Sequence, residues 1–122
     1  MTAEIADWII ERYTDQWKAD PLLPPLCIAL DTALTPASML TTFLREYGRA
    51  IYRAATAPED FDPIACEAEA IRFSLRALED ERLANLAYAE AVAVRNMARD
   101  EPYRSALKLL ADEPSWRRYI KS

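Results

Sequence analysis

The chain has 122 residues, with 15 basic and 20 acidic side chains for a formal net charge of −5, one glycine and no histidine. That balance disfavours nonspecific attraction to nucleic acid or to an anionic membrane surface, so direct nucleic-acid binding is not expected and a basic partner is. The missing histidine removes Ser-His-Asp and Cys-His nucleophile arrangements and the commonest metal ligand, and one glycine leaves no Gly-rich cradle for a phosphate.

Ala, Leu, Glu and Arg are abundant and alternating β-branched runs are scarce, which predicts an all-α fold: one helical domain, 1–122, in a compact bundle of about six helices. Thr35-Pro36, Asp62-Pro63, Glu101-Pro102 and Glu113-Pro114 each set a capping or acidic side chain before a proline suited to the first helical position, and Thr2 precedes the opening stretch. These starts divide the chain into helices near 3–18, 25–34, 36–56, 63–99, 102–111 and 114–120.

In the first predicted helix Glu4, Asp7, Glu11 and Asp15 fall within an arc of roughly 80° at about 100° per residue. Ile5, Trp8, Ile9, Tyr13 and Trp17 fill a broad apolar arc mostly on the far side, so the expectation is a helix docked by its aromatics with its acids outward. Successive carboxylates lie about 5 to 6 Å apart along the axis, near the spacing of phosphates on a nucleic-acid strand. Such a row fits a groove of Arg and Lys built for nucleic acid. A charged outer face that is merely solvated is the alternative.

The N-terminal MTAEIADW lacks a basic segment followed by an apolar one, and the longest apolar stretch, LLPPLCIAL, is interrupted by prolines and too short to span a bilayer. A soluble, cytoplasmic protein without a membrane association is expected. Cys27 and Cys66 stand far apart with no C-x-x-C, so they read as small buried residues in a reducing compartment, without a disulfide framework or a zinc site.

The third predicted helix carries Met39, Leu40, Phe43, Leu44, Tyr47, Ile51 and Ala54 on one face. The pattern runs through Gly48, which is therefore mid-helix, either admitting a close neighbour or lying idle on the surface. Arg45, Arg49 and Arg53 at i, i+4 and i+8, with Tyr52 beside them, form a basic rail and a secondary partner-binding candidate. The rail has three readings: it binds phosphate or an acidic partner, it pairs internally with the acidic row, or it is solvated. TAPEDFD, 56–62, is the most loop-like segment.

From Ile64 to Asp100 there is neither Gly nor Pro, and Ile64, Ala68, Ile71, Leu75 and Leu78 keep a regular helical rhythm. The rhythm slips before Leu83, Leu86, Ala87, Val94 and Met97, so a kink or break is expected near 79–82, with Asp80 able to cap a new helix and one continuous helix as the alternative. A second stripe of Cys66, Ala70, Phe73 and Ala77 makes this helix either sandwiched or a homodimer face. Glu69 can pair with Arg72 one turn on. Glu90 falls within an apolar stripe, where a carboxylate needs either an internal Arg or a partner's cation. Glu67/Glu69 and Glu79/Asp80/Glu81 are the carboxylate groupings that acid–base chemistry would use, yet helix faces and junctions ordinarily carry solvated charge. No catalytic residue, metal ligand or cofactor is expected. The final WRRYIKS sets Trp116 and Tyr119 among Arg117, Arg118 and Lys121, which suits an interface or a terminal helix docked by Trp116 and Ile120.

Missing catalytic machinery and an ordered acidic face together read as a non-enzymatic inhibitor that occupies a basic surface of a larger complex. In size, acidity and helical character the whole chain resembles the anti-CRISPR proteins of phages and mobile elements. The resemblance implies a CRISPR effector complex as partner, its Lys/Arg channel closed to nucleic acid, and Glu4, Asp7, Glu11 and Asp15 are the contacts expected of this chain. The alternatives are a helical adaptor, chaperone or immunity protein acting through the Phe73 stripe, as a homodimer, and a nucleic-acid binder using Arg45, Arg49 and Arg53.

Overall fold

The computed structural model describes residues 1–120. It contains α1 (Ala3–Lys18), α2 (Pro36–Ala55), a 3₁₀ turn at Pro58–Asp60, α3 (Pro63–Asp80), α4 (Ala84–Met97), α5 (Tyr103–Leu110) and α6 (Pro114–Arg117), and no strand among the described residues. The expected all-α bundle of about six helices is the observed fold, although one expected helix is absent and another is split.

Local chemistry explains most of the starts. Thr2 Oγ1 accepts from the Ile5 N–H at 3.3 Å, Thr35 Oγ1 from Ser38 at 3.2 Å and the Asp62 carboxylate from Ile64 at 2.9 Å, each satisfying a donor that the first helical turn leaves unpaired. Pro36, Pro63 and Pro114 are first helical residues. Pro102 departs from that pattern: it sits at the cap position itself, and α5 begins one residue later.

α3 is the central helix, packed chiefly on α2 and also on α4, α5 and α6. Ala68, Ile71, Leu75 and Leu78 are buried on one side, Cys66, Ala70 and Ala77 on the other. The second stripe is thus interior and is no homodimer face. Phe73, half-buried, stacks on Tyr47 at 5.3 Å and meets Tyr13 edge-on at 6.1 Å, so it belongs to the junction of α1, α2 and α3. Gly48 admits the close neighbour: a Cβ placed there would lie 2.9 Å from the Ala70 Cα.

Two boundaries correct the sequence reading. Residues 25–34 form no helix: 25–31 run as an irregular strap and a turn at 32–34 follows, where the Leu34 N–H donates to the Asp31 carbonyl at 3.1 Å. Pro21, Pro24 and Pro25 withhold backbone donors and hold their predecessors extended, and Leu26, Ile28 and Leu30 alternate inward against the core while Cys27 and Ala29 face solvent. Trp17 Nε1 ties the strap down by donating to the Pro24 carbonyl at 2.6 Å. Cys27 is therefore exposed, and only Cys66 meets the expectation of burial.

The expected 63–99 helix breaks where the apolar rhythm slips. α3 ends at Asp80, the Leu83 N–H donates to the Leu78 carbonyl at 2.8 Å and the Arg82 N–H to Glu79 at 2.9 Å, with Arg82 at φ 60°. These two bonds make a Schellman ending. Asp80 closes the old helix and does not cap the new one; Leu83 precedes α4 without a side-chain cap.

Candidate partner-binding face

α1 docks through Ala6, Ile9 and Trp17, all buried, and through Ile10 and Tyr13, half-buried. About 150° away in azimuth, Glu4, Asp7, Glu11 and Asp15 are all exposed. Among the described residues none of the four enters an ion pair.

The expected docking arc was too wide. Trp8 is 59% exposed and Ile5 47% exposed, because only a band of about 100° reaches the core; Ile5 lies just outside its edge, and Trp8 lies farther round, beside Asp15 and Glu4. Arg12 sits beside them, its guanidinium 4.7 Å from the Trp8 ring centroid and paired with Glu81 at the end of α3. This contact orients the indole against a fixed cation. Trp8, Glu11, Arg12, Asp15, Gln16 and Ala19 line a shallow depression of about 430 Å³. The face thus presents carboxylates, one large exposed aromatic and one anchored arginine.

The basic rail is turned inward over most of its length. Arg45 Nε lies 2.9 Å from Glu90 Oε2 of α4. Arg49 holds both oxygens of Glu67 on α3, at 2.7 and 2.9 Å, and also contacts Glu46. Only Arg53 is exposed, lying 6.0 Å from the Phe61 ring centroid. Internal pairing therefore accounts for Arg45 and Arg49, through α3 and α4 carboxylates and not through the acidic row of α1. Burial would loosen the Arg49 proton, and the hydrogen bonds and charge of Glu67 more than reverse that. Burial pushes the Glu90 carboxyl above its ordinary range against the opposing charge of Arg45. The buried carboxylate that the sequence flagged has thus met an internal Arg.

The remaining carboxylate groupings are also structural. Arg72 grips both oxygens of Glu113, at 3.0 and 2.6 Å, and pairs with Glu69. The Arg72 hydrogen bond holds the Glu113 carboxyl below its ordinary range. Arg118 reaches Glu79 at 2.5 Å. Trp116 and Tyr119 are buried and Ile120 half-buried, so aromatic docking anchors the C-terminal segment while Arg117 and Arg118 stay exposed; Lys121 lies outside the described residues. Among the described residues no three Cys, Asp or Glu side chains converge to hold a metal ion, and no helix is long and apolar enough to cross a membrane.

Fold and face together define an all-helical protein with a charged, aromatic-bearing surface on its first helix. Comparison with known proteins finds no matching family model, no matching curated protein and no matching solved structure.

Proposed function

We propose that this protein is a non-enzymatic inhibitor whose α1 face covers a basic, nucleic-acid-binding surface of a larger assembly. The observation that carries the reading is the contrast in charge pairing. Arg12, Arg45, Arg49, Arg72 and Arg118 all hold carboxylates, whereas Glu4, Asp7, Glu11 and Asp15 are exposed side by side and hold no cation. Trp8, set in that row, supplies the large apolar anchor that charge alone does not. A CRISPR effector complex with a Lys/Arg channel is the partner that the resemblance to anti-CRISPR proteins implies.

The test is capture from the source organism's lysate at low and moderate salt, using wild type, the quadruple Gln variant at 4, 7, 11 and 15, and Trp8→Ala. The expected result is that wild type retains a nucleic-acid-handling complex, that salt weakens the capture, and that both variants lose it. Equal capture by the quadruple variant would show the row to be a solvated face. An adaptor working through Cys66, Ala70 and Ala77 would need those buried residues to be uncovered, so an apolar docking surface has to be sought elsewhere.

A further inference from the structure

Between the carboxylate row of α1 and the band that docks it runs an apolar flank. Ile5 and Trp8 are exposed there, and Met1 just ahead of the helix is 43% exposed. Beside Ile5, a groove of about 380 Å³ opens between the start of α1 and the junction of α3 with α4, its far wall made by Arg82, Leu83, Ala84 and Leu86. Past Trp8, the depression that ends at Ala19 continues the same flank. From Ile5 to Ala19 the run is about 21 Å long at 1.5 Å per residue, the length of a helix of about 14 residues.

The charges bordering this run select its occupant. On one side stand Glu4, Asp7, Glu11 and Asp15, none in an ion pair among the described residues. Arg12, the cation nearest them on this flank, is committed to Glu81 and to the Trp8 ring. Across the groove Arg82 is the one charged side chain of the lining. A flat basic surface would meet the row and leave Trp8 and the groove uncovered. A wholly apolar helix would cover the groove and draw the edge of the row out of water without a cation, which is unfavourable. An amphipathic helix with Lys or Arg along one flank satisfies both features. Its apolar residues, recurring every three or four positions, cover Trp8 and the groove, its basic flank faces the row, and its other flank, over Arg82, carries no cation.

We propose that the Ile5 and Trp8 flank of α1 is a docking groove for a basic amphipathic helix of a partner protein. The inference rests on the reading of α1 as the contact face and names the element that meets it. Specificity then comes from shape and apolar burial along the groove, while the row supplies attraction that salt screens.

The probe is a fluorescein-labelled peptide of about 16 residues, with Leu along one helical face, Lys along one adjoining flank and Gln and Ala elsewhere. A shuffled peptide of the same composition is its control. Anisotropy titrations of the whole chain at about 0.05 and about 0.3 M NaCl read the affinity. The expected result is saturable binding in the micromolar range that weakens several-fold at the higher salt. Affinity should fall about tenfold for the shuffled peptide, for Ile5→Ser and for the quadruple Gln variant at 4, 7, 11 and 15. Ile5 is exposed, so Ile5→Ser should keep the wild-type melting temperature. Trp17 and Trp116 are buried, so acrylamide quenching of the indole fluorescence reports mainly on Trp8 and should decrease when the peptide binds. No binding at about 0.5 mM, equal binding of the shuffled peptide, or a loss in the quadruple variant without one in Ile5→Ser overturns the helix groove and leaves the charged row standing as a contact face. Full binding by the quadruple variant overturns both.

Discussion

Glu90 and Arg45 are unequal members of their pair. The Glu90 side chain is 1% exposed and that of Arg45 17%, so removing Arg45 strands a carboxylate from water, while removing Glu90 leaves a guanidinium beside the groove between α2 and α4. Arg45→Leu should cost about 3 kcal/mol near neutral pH, and Glu90→Gln about 1 kcal/mol. The pH dependence follows from burial. A carboxyl whose folded value is raised binds its proton more tightly in the folded chain, so its favourable contribution is present below the ordinary carboxylate range and is lost as pH rises through the raised value. Without the opposing charge of Arg45 the rise is larger, and the deficit of Arg45→Leu should shrink toward about pH 4 and grow toward about pH 7. Urea unfolding of variant and wild type across that range checks this; a constant difference would mean that Glu90 is not the group responsible. Gly48 poses a second residue-scale conflict. Ala in its place gains about 1 kcal/mol of helix propensity but sets a Cβ 2.9 Å from the Ala70 backbone and 3.0 Å from the Phe73 Cβ. Overpacking against a backbone costs about 1 to 3 kcal/mol, so Gly48→Ala should lower the urea midpoint despite its better helix propensity; a raised midpoint would show that α2 and α3 separate easily.

At the scale of elements, the chain ends α3 with the wrong residue for its geometry. Arg82 occupies the left-handed position of the Schellman ending, φ 60°, which glycine fills without a Cβ penalty. Arg82→Gly should stabilise the protein by about 0.5 to 1 kcal/mol, the relief of about 1 to 2 kcal/mol being partly offset by the entropy glycine adds to the unfolded chain. Thermal unfolding decides it, and a lower melting temperature would mean that the Arg82 side chain makes a stabilising contact stronger than the strain. The same junction shows what was legible in the sequence. Apolar rhythm is local, so the slip between Leu78 and Leu83 located the break; cap chemistry is local too, and Thr2, Thr35 and Asp62 marked real starts. Leu26, Ile28 and Leu30 were misread because a short apolar run beside prolines fits both a helix and a period of two. The arginine rail was misjudged for a different reason. Spacing puts Arg45 and Arg49 on one side of α2, but only tertiary packing brings Glu90 and Glu67 against them. The exposure of Trp8 was half legible: its azimuth beside Glu4 and Asp15 was in the sequence, the width of the docking band was not.

For the whole molecule, charge is divided between pairs that join elements and a row that has no cation. Most of the arginines in ion pairs hold elements together, as Arg12 joins α1 to the end of α3 and Arg72 joins α3 to Glu113, whereas the α1 row contributes charge without a partner. The quadruple Gln variant at Glu4, Asp7, Glu11 and Asp15 takes the net charge from −5 to −1. Its fold should be nearly as stable as wild type. Losing Glu4 in the first turn of α1 removes a favourable interaction with the helix dipole of about 0.3 to 1 kcal/mol, and losing Asp15 in the last turn removes an unfavourable one of similar size. The melting temperature should therefore move by no more than about 3 °C. What changes is association. The same variant should lose any basic partner of α1, and the capture that salt weakens in wild type should be absent at low and moderate salt alike. Thermal unfolding of the variant beside wild type reads the first effect, and capture reads the second. A melting temperature that falls by much more than this would show that the row contributes to the fold and is not free charge.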